Sequence, residues 1–127
     1  MLENLETKTI EAIFNALPVD MIFADSTNTI RYYNQGNGRI FKRKPEIIGS
    51  KVLDCHSQQS RDKVKQVISE LRSGRRVSVE LKIGNRNGRR IYTRYFPVND
   101  NAGRYLGTLE VAQDITDIQK IADEKRL

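Results

Sequence analysis

The apolar positions change period several times along the chain, and each change predicts an element. In residues 2–17, Ile10, Ile13, Phe14 and Leu17 recur at helical spacing while Glu3, Glu6, Lys8 and Glu11 stay on the wet side, so an amphipathic helix opens the chain. Pro18 stops it, because proline disfavours the helical conformation of the residue before it. Residues 19–24 form a short apolar run, Asp25-Ser26-Thr27-Asn28 is turn chemistry, and residues 29–33 are β-rich again, which predicts a hairpin. Asn34 is placed to cap a short irregular helix over 35–41, whose apolar tip is Ile40-Phe41. Glu46-Ile47-Ile48-Gly49 reads as one helical turn closed by glycine. From Ser57 or Ser60 to about Arg72, Val64, Val67, Ile68 and Leu71 share one face of a longer helix, which Ser73-Gly74 ends.

The period then falls to two. Val77, Val79, Leu81 and Ile83 alternate with Ser78, Glu80 and Lys82, predicting a strand with one buried face. Asn85-Arg86-Asn87-Gly88 turns into a strand over 90–98, residues 100–103 make a second turn, and residues 105–115 form a last long strand. Thr116 is placed to cap a final helix from Asp117, with Ile118, Ile121 and Ala122 at seam spacing and no stop signal before Leu127. The expected organisation is a cap helix at 1–17, a central domain at 18–116, and the start of an outgoing helix at 117–127 in a longer protein. The expected class is α+β, with a five-stranded antiparallel sheet and short helices on one face.

Composition supports one folded domain. The 127 residues are 38% hydrophobic and 30% charged, too apolar for a disordered chain and of single-domain size. No stretch approaches the ~20 apolar residues of a membrane span, and the first residues lack the order of a signal peptide, so a cytoplasmic, membrane-free setting is expected. The one cysteine, Cys55, forms no internal disulfide and builds no Cys-rich metal site. The net charge of +6 is spread over Arg31, Arg39, Lys42, Arg43, Lys44, Arg75, Arg76, Arg89 and Arg90 without a continuous basic helix face, so direct nucleic-acid binding is not expected. Catalysis lacks support: there is no nucleophile triad order, no metal-ligand spacing, and no Gly-rich loop between a strand and a helix.

Four segments occur in a telling order: Ile30-Arg31-Tyr32-Tyr33-Asn34, Glu46-Ile47-Ile48-Gly49, Pro97-Val98-Asn99-Asp100-Asn101-Ala102-Gly103 and Asp114-Ile115-Thr116. In that order they resemble the PAS domain family, especially PAS domains of bacterial and archaeal sensors and enhancer-dependent transcription regulators, over about residues 17–116. The resemblance implies a sensory module that binds a small molecule or partner. It also implies a sheet with the first two strands central, a pocket between sheet and small helices, and signal transmission at Asp114 and Thr116 toward an output domain after the chain. The plain reading of Thr116 is a helix cap, and both roles are compatible.

The resemblance turns Glu110, with Thr108 and Ala112, toward the helices, and with them Ile91, Thr93 and Tyr95. Glu110, Tyr95 and Thr93 then form a polar patch in a pocket walled by Ile40, Val64, Val79 and Leu81, suited to a small polar or cationic ligand. Periodicity alone equally permits the opposite register, with Leu109 and Val111 in the core and Glu110 in solvent. If Leu109, Val111, Tyr92 and Phe96 face away from the helices, the apolar stripe of the opening helix is their cover, shared across a homodimer. The cofactor is open: His56, the sole histidine, is a candidate haem ligand. Haem-binding relatives instead carry that histidine within the long helix, at the position of Val64 here. Asp54-Cys55-His56-Ser57 does not match the flavin-adduct motif. A ligand-free dimerisation module and a haem-based gas or redox sensor are the alternatives.

Overall fold

The computed structural model describes residues 1–36 and 39–123, without the side chains of Leu81 and Lys82. After a 3-10 turn at Leu2–Asn4, helix α1 spans Thr7–Ala16 and ends at an extended Leu17, directly before Pro18. Strands β1 (Asp20–Asp25) and β2 (Ile30–Tyr33) follow as an antiparallel pair. Their turn is built by Asp25: Oδ1 accepts from the Thr27 and Thr29 amides and the Thr27 hydroxyl, and Oδ2 pairs with Arg31 Nε at 2.7 Å. Two 3-10 turns, Pro45–Ile47 and Val52–Cys55, lead to helix α2 (Gln58–Arg72). Strands β3 (Val79–Arg86), β4 (Arg89–Asn99) and β5 (Tyr105–Asp114) complete the sheet. Asn87 and Gly88 both take positive φ, the two-residue turn whose twist suits a hairpin.

The sheet runs β2-β1-β5-β4-β3, with an isolated Thr29–Lys51 bridge adding a further extended segment at the β2 side. The expected central position of the first two strands is therefore corrected. β5 is central, because it pairs with β1 on one side and β4 on the other, which leaves β2 at an edge.

One sheet face carries the core. Ile22, Ala24, Ile30 and Tyr33 pack with Val52 and with Val64 and Ile68 of α2. Val79 and Tyr95 pack with Val67 and Leu71. The helical spacing of the four α2 residues thus buries one stripe against the sheet, a contribution of about 1.5–3 kcal/mol per fully buried aliphatic side chain.

Three expected elements differ. Residues 34–36 and 39–41 are not helical, and residues 37–38 lie outside the description; Asn34 caps nothing and is 1% exposed inside the fold. The alternation of β3 breaks at a bulge between Glu80 and Lys82, which turns Ile83 outward to 49% exposure. The outgoing helix is, among the described residues, only a 3-10 turn at Ile118–Lys120 that ends at an extended Ile121; the Thr116 side chain is engaged elsewhere.

Candidate functional site

β5 exposes Glu110 to the same side as the core. Tyr95 pairs with Glu110 across β4–β5, Ile22 pairs with it across β1–β5, and both neighbours are buried. Glu110 lines a small chamber of about 30 Å³ with Ile22, Ile30, Arg43, Ile47, Val52, Cys55 and His56. That is room for one or two water molecules. Burial, then the negative charge and hydrogen-bond acceptance of Glu110, push the Tyr95 hydroxyl well above its usual range, so Tyr95 is a protonated donor at any physiological pH.

The remaining expected pocket residues are dispersed. Thr93 borders a separate cavity of about 160 Å³ with Phe41, Gly84, Asn85, Arg86 and Ile91. Ile40 lies in a third cleft beside Asp20, Arg39, Arg89 and Asp114. Val64 and Val79 belong to the packed core clusters, and the Leu81 side chain lies outside the description. His56 is half-buried at the Glu110 chamber, but that space is far below what a haem macrocycle occupies, so the haem reading does not fit these residues. Among the described residues, no group of three or more His, Cys, Asp or Glu is placed to hold a metal ion.

The structure adds residues that the sequence shows only as part of a spread positive charge. Within 39–43, Arg39 and Arg43 turn inward while Lys42 is exposed. The Arg39 side chain is 9% exposed: Nε donates to the Phe41 carbonyl, and Nη1 donates to the Asn34 carbonyl and Oδ1. Asp20 Oδ2 accepts the Phe41 amide at 2.8 Å and lies 3.9 Å from Arg39 Nε. The Phe41 ring is held by two guanidiniums, Arg86 at 4.9 Å and Arg43 at 5.6 Å. Phe41 lines the cavity that Thr93 borders, and its amide is fastened through Asp20 to the start of β1. The alternating pattern Arg39-x-Phe41-x-Arg43 was the available signal, one face per two residues.

At the far end of β5, Asp114 Oδ1 accepts the Thr116 hydroxyl at 2.6 Å and its amide at 3.0 Å, while Oδ2 pairs with Arg89 Nε at 2.7 Å. The Thr116 oxygen in turn accepts the Arg90 amide, and Arg89 also reaches Asp117. These bonds clasp the exit of β5 onto the start of β4. The Thr116 hydroxyl first, and then Arg89, lower the Asp114 carboxyl to about 2. Its folded pKa lies below the unfolded one of about 3.9, so its contribution is complete above about pH 4 and is lost as pH falls through 2. A carbon-detected NMR titration of Asp114 should show a midpoint near 2, and Thr116→Val should move it upward. A midpoint at the ordinary carboxylate value would mean that the clasp is absent in solution.

A family model described as the PAS domain matches residues 10–116. The chain is similar to the C-terminal domain of a Streptococcus mutans protein, at 34% identity and TM-score 0.86, covering 93% of this chain and 91% of that one. It shares its fold with the PAS domain of a Colwellia psychrerythraea protein, at 17% identity and TM-score 0.63, covering 87% and 97% of the two chains. It also shares it with a sensory box sensor histidine kinase from Vibrio cholerae, at 13% identity and TM-score 0.59, covering 91% and 99%. Among curated proteins no sequence matches. With the model spanning all five strands and both helices but for the first residues of α1, the chain belongs to the PAS domain family.

Proposed function

We propose that this PAS domain is a non-catalytic sensory module of a cytoplasmic signalling protein, holding a small molecule beside Glu110 and passing the change to an output domain through the Asp114–Thr116 exit. The observation that carries this is the Glu110 chamber. Glu110, His56 and Arg43 line one small space together with the apolar Ile22, Ile30, Ile47 and Val52, and Tyr95 acts on Glu110 from the neighbouring strand. Polar groups there cost stability unless paired, and a ligand that pairs them repays the cost only in the state that binds it. Glu110 sits on the central strand four residues before Asp114, so a change in the chamber acts on the strand that carries the clasp. A differential affinity worth a few kcal/mol is sufficient to move such an equilibrium. The fold shared with a sensor histidine kinase from Vibrio cholerae supports the sensory reading.

A second reading is favoured by one observation: Ile13 and Leu17 of the α1 stripe are 47% and 43% exposed, and Phe23, Phe96, Leu109 and Val111 on the opposite sheet face are only half-buried. These surfaces suit a ligand-free homodimerisation module. Native mass spectrometry with an absorbance spectrum on freshly purified protein separates the readings. The expected result is a colourless protein carrying an extra small mass. An empty dimer would transfer the function to association, and a Soret band would require the Glu110 chamber to open far beyond its present size.

A further inference from the structure

The outer edge of β2 is covered at both ends and open between them. At one end the Ile30 amide donates to the Ser50 carbonyl at 2.9 Å, and the Ile30 carbonyl accepts the Gly49 amide at 2.8 Å. At the other end Asn15 Oδ1 accepts the Gln35 amide at 2.7 Å. Between them the Asn34 amide bonds back to the Met21 carbonyl of β1, so the alternation of an antiparallel ladder turns the N–H and C=O of Tyr33 away from β1. This stretch of edge is the floor of a cleft of about 330 Å³, within the size range of ligand sites. Helix α1 walls it on one sheet face, where Phe14 lies 5.8 Å from the Tyr32 ring. The Pro45–Ile47 turn walls it on the other, where Ile47 packs on the core. A strand edge with free backbone groups is a template for a further extended segment. Covered ends make that segment a short one.

Opposite charges line the groove and are not spent on each other. Among the described residues Glu11 of the α1 wall makes no ion pair. Arg31 gives Nε to Asp25 Oδ2 at 2.7 Å and, among the described residues, leaves both Nη groups unused. Burial first, and then the Glu11 charge, raise the Tyr32 hydroxyl, which keeps a protonated donor within reach of that carboxylate. Pro45 and Ile48, the latter 44% exposed, add an apolar rim. We propose that this groove binds a free tripeptide with an apolar middle residue, laid antiparallel along β2, its carboxylate held by Arg31 and its ammonium by Glu11. Three residues are the minimum that fits the floor. Only a residue with an amide on each side presents an N–H and a C=O in one direction, as Tyr33 requires, while both charged termini stay free for the walls. An antiparallel course brings the ligand's C-terminus to the Arg31 end of β2. It also puts the middle side chain on the sheet face of the Tyr33 ring, where Pro45 and Ile48 lie. The site is separate from the Glu110 chamber and stands on its own observations.

The test is calorimetry and thermal shift on the full chain with glycyl-leucyl-glycine, its N-acetyl form, its C-terminal amide, the doubly capped form and glycyl-leucine. The free tripeptide should bind and raise the melting temperature. Each singly capped form, and the dipeptide, should bind at least tenfold more weakly. Glu11→Gln should weaken the free tripeptide about tenfold and leave the N-acetyl form unchanged, and Arg31→Gln should do the same with respect to the C-terminal amide. Circular dichroism establishes that each variant is folded. Hydrogen exchange on the unmodified protein gives a second readout: the Tyr33 amide should exchange at least tenfold more slowly with the tripeptide present, while the Ile30 amide, already bonded to Ser50, should not change. No binding by the free tripeptide, or binding that leaves the Tyr33 amide unaltered, overturns the proposal. Doubly capped peptide binding as tightly as the free one also overturns it, because the occupant would then be an internal segment of a larger protein.

Discussion

Asn34→Ala should lower the melting temperature by roughly 10 °C or more. Asn34 is 1% exposed and its amide joins three parts of the fold. Oδ1 accepts the Met21 amide and Arg39 Nη1, both at 2.8 Å, and Nδ2 donates to the Phe14 carbonyl at 3.0 Å and the Val19 carbonyl at 2.9 Å. Alanine removes four hydrogen bonds and leaves their backbone and guanidinium partners in a space closed to water. Each group so stranded costs about 1–3 kcal/mol, and partial relaxation brings the sum to roughly 3–5 kcal/mol. For a domain of this size each kcal/mol shifts the melting temperature by roughly 3–5 °C. Asn34→Asp distinguishes hydrogen bonding from volume. It keeps the acceptor for Met21 and Arg39 but turns a carboxylate toward two carbonyls, so it should fall between wild type and Asn34→Ala. Hydrogen exchange should locate the damage, with amides of α1 and of the 39–41 segment losing protection before those of β4 and β5. A melting temperature within about 2 °C of wild type would mean that these bonds are replaced by water and that Asn34 is not the fastening point.

The same residue shows where reading the sequence works and where it fails. Periodicity identifies α2, because Val64, Val67, Ile68 and Leu71 face one packed layer and nothing else competes for that stripe. Turn chemistry locates the hairpins at Asp25–Asn28 and at Asn87-Gly88, because those backbone angles suit few residue types. Asn34, however, has a local meaning as a cap and a non-local one as a strut to Phe14 and Val19, and only the three-dimensional path of α1 decides between them. Arg39 and Arg43 look like any exposed basic run until Asp20 and the aromatic Tyr33 and Phe41 are brought against them. The candidate site suffers most from this. Its walls follow from the register that the resemblance implies, whereas Thr93, Ile40 and Val79 border three different spaces, a dispersal that only the packing of the chain decides. Glu110 and His56 do meet, since one lies on the central strand and the other just beyond the 3-10 turn that covers it.

Gly107→Ala should be the second severely destabilising change, although alanine adds one methyl group and glycine is normally a weak strand former. Gly107 lies in the central strand, opposite Asp25 of β1 and Val98 of β4, and is buried. A Cβ at this position would stand 2.1 Å from the Ala24 carbonyl oxygen and 2.8 Å from two atoms of the Phe23 ring. The ring has room to turn, but the carbonyl belongs to the backbone of β1, and moving it means parting β1 from β5. Overpacking usually costs about 1–3 kcal/mol, and a clash with backbone in a doubly paired strand belongs at or above the top of that range. The melting temperature should therefore fall by roughly 10 °C. The functional consequence follows from the register. Ile22 sits opposite Glu110 three pairs along the same ladder, so parting the strands opens the Glu110 chamber from the β1 side. Gly107→Ala should thus weaken ligand binding even at temperatures where the domain stays folded, whereas Leu106→Ala, at a side chain 42% exposed, should cost under about 1 kcal/mol and leave binding intact. If both variants melt alike, β1 tolerates the shift and the close approach of Gly107 to Ala24 is not what sets the strand spacing.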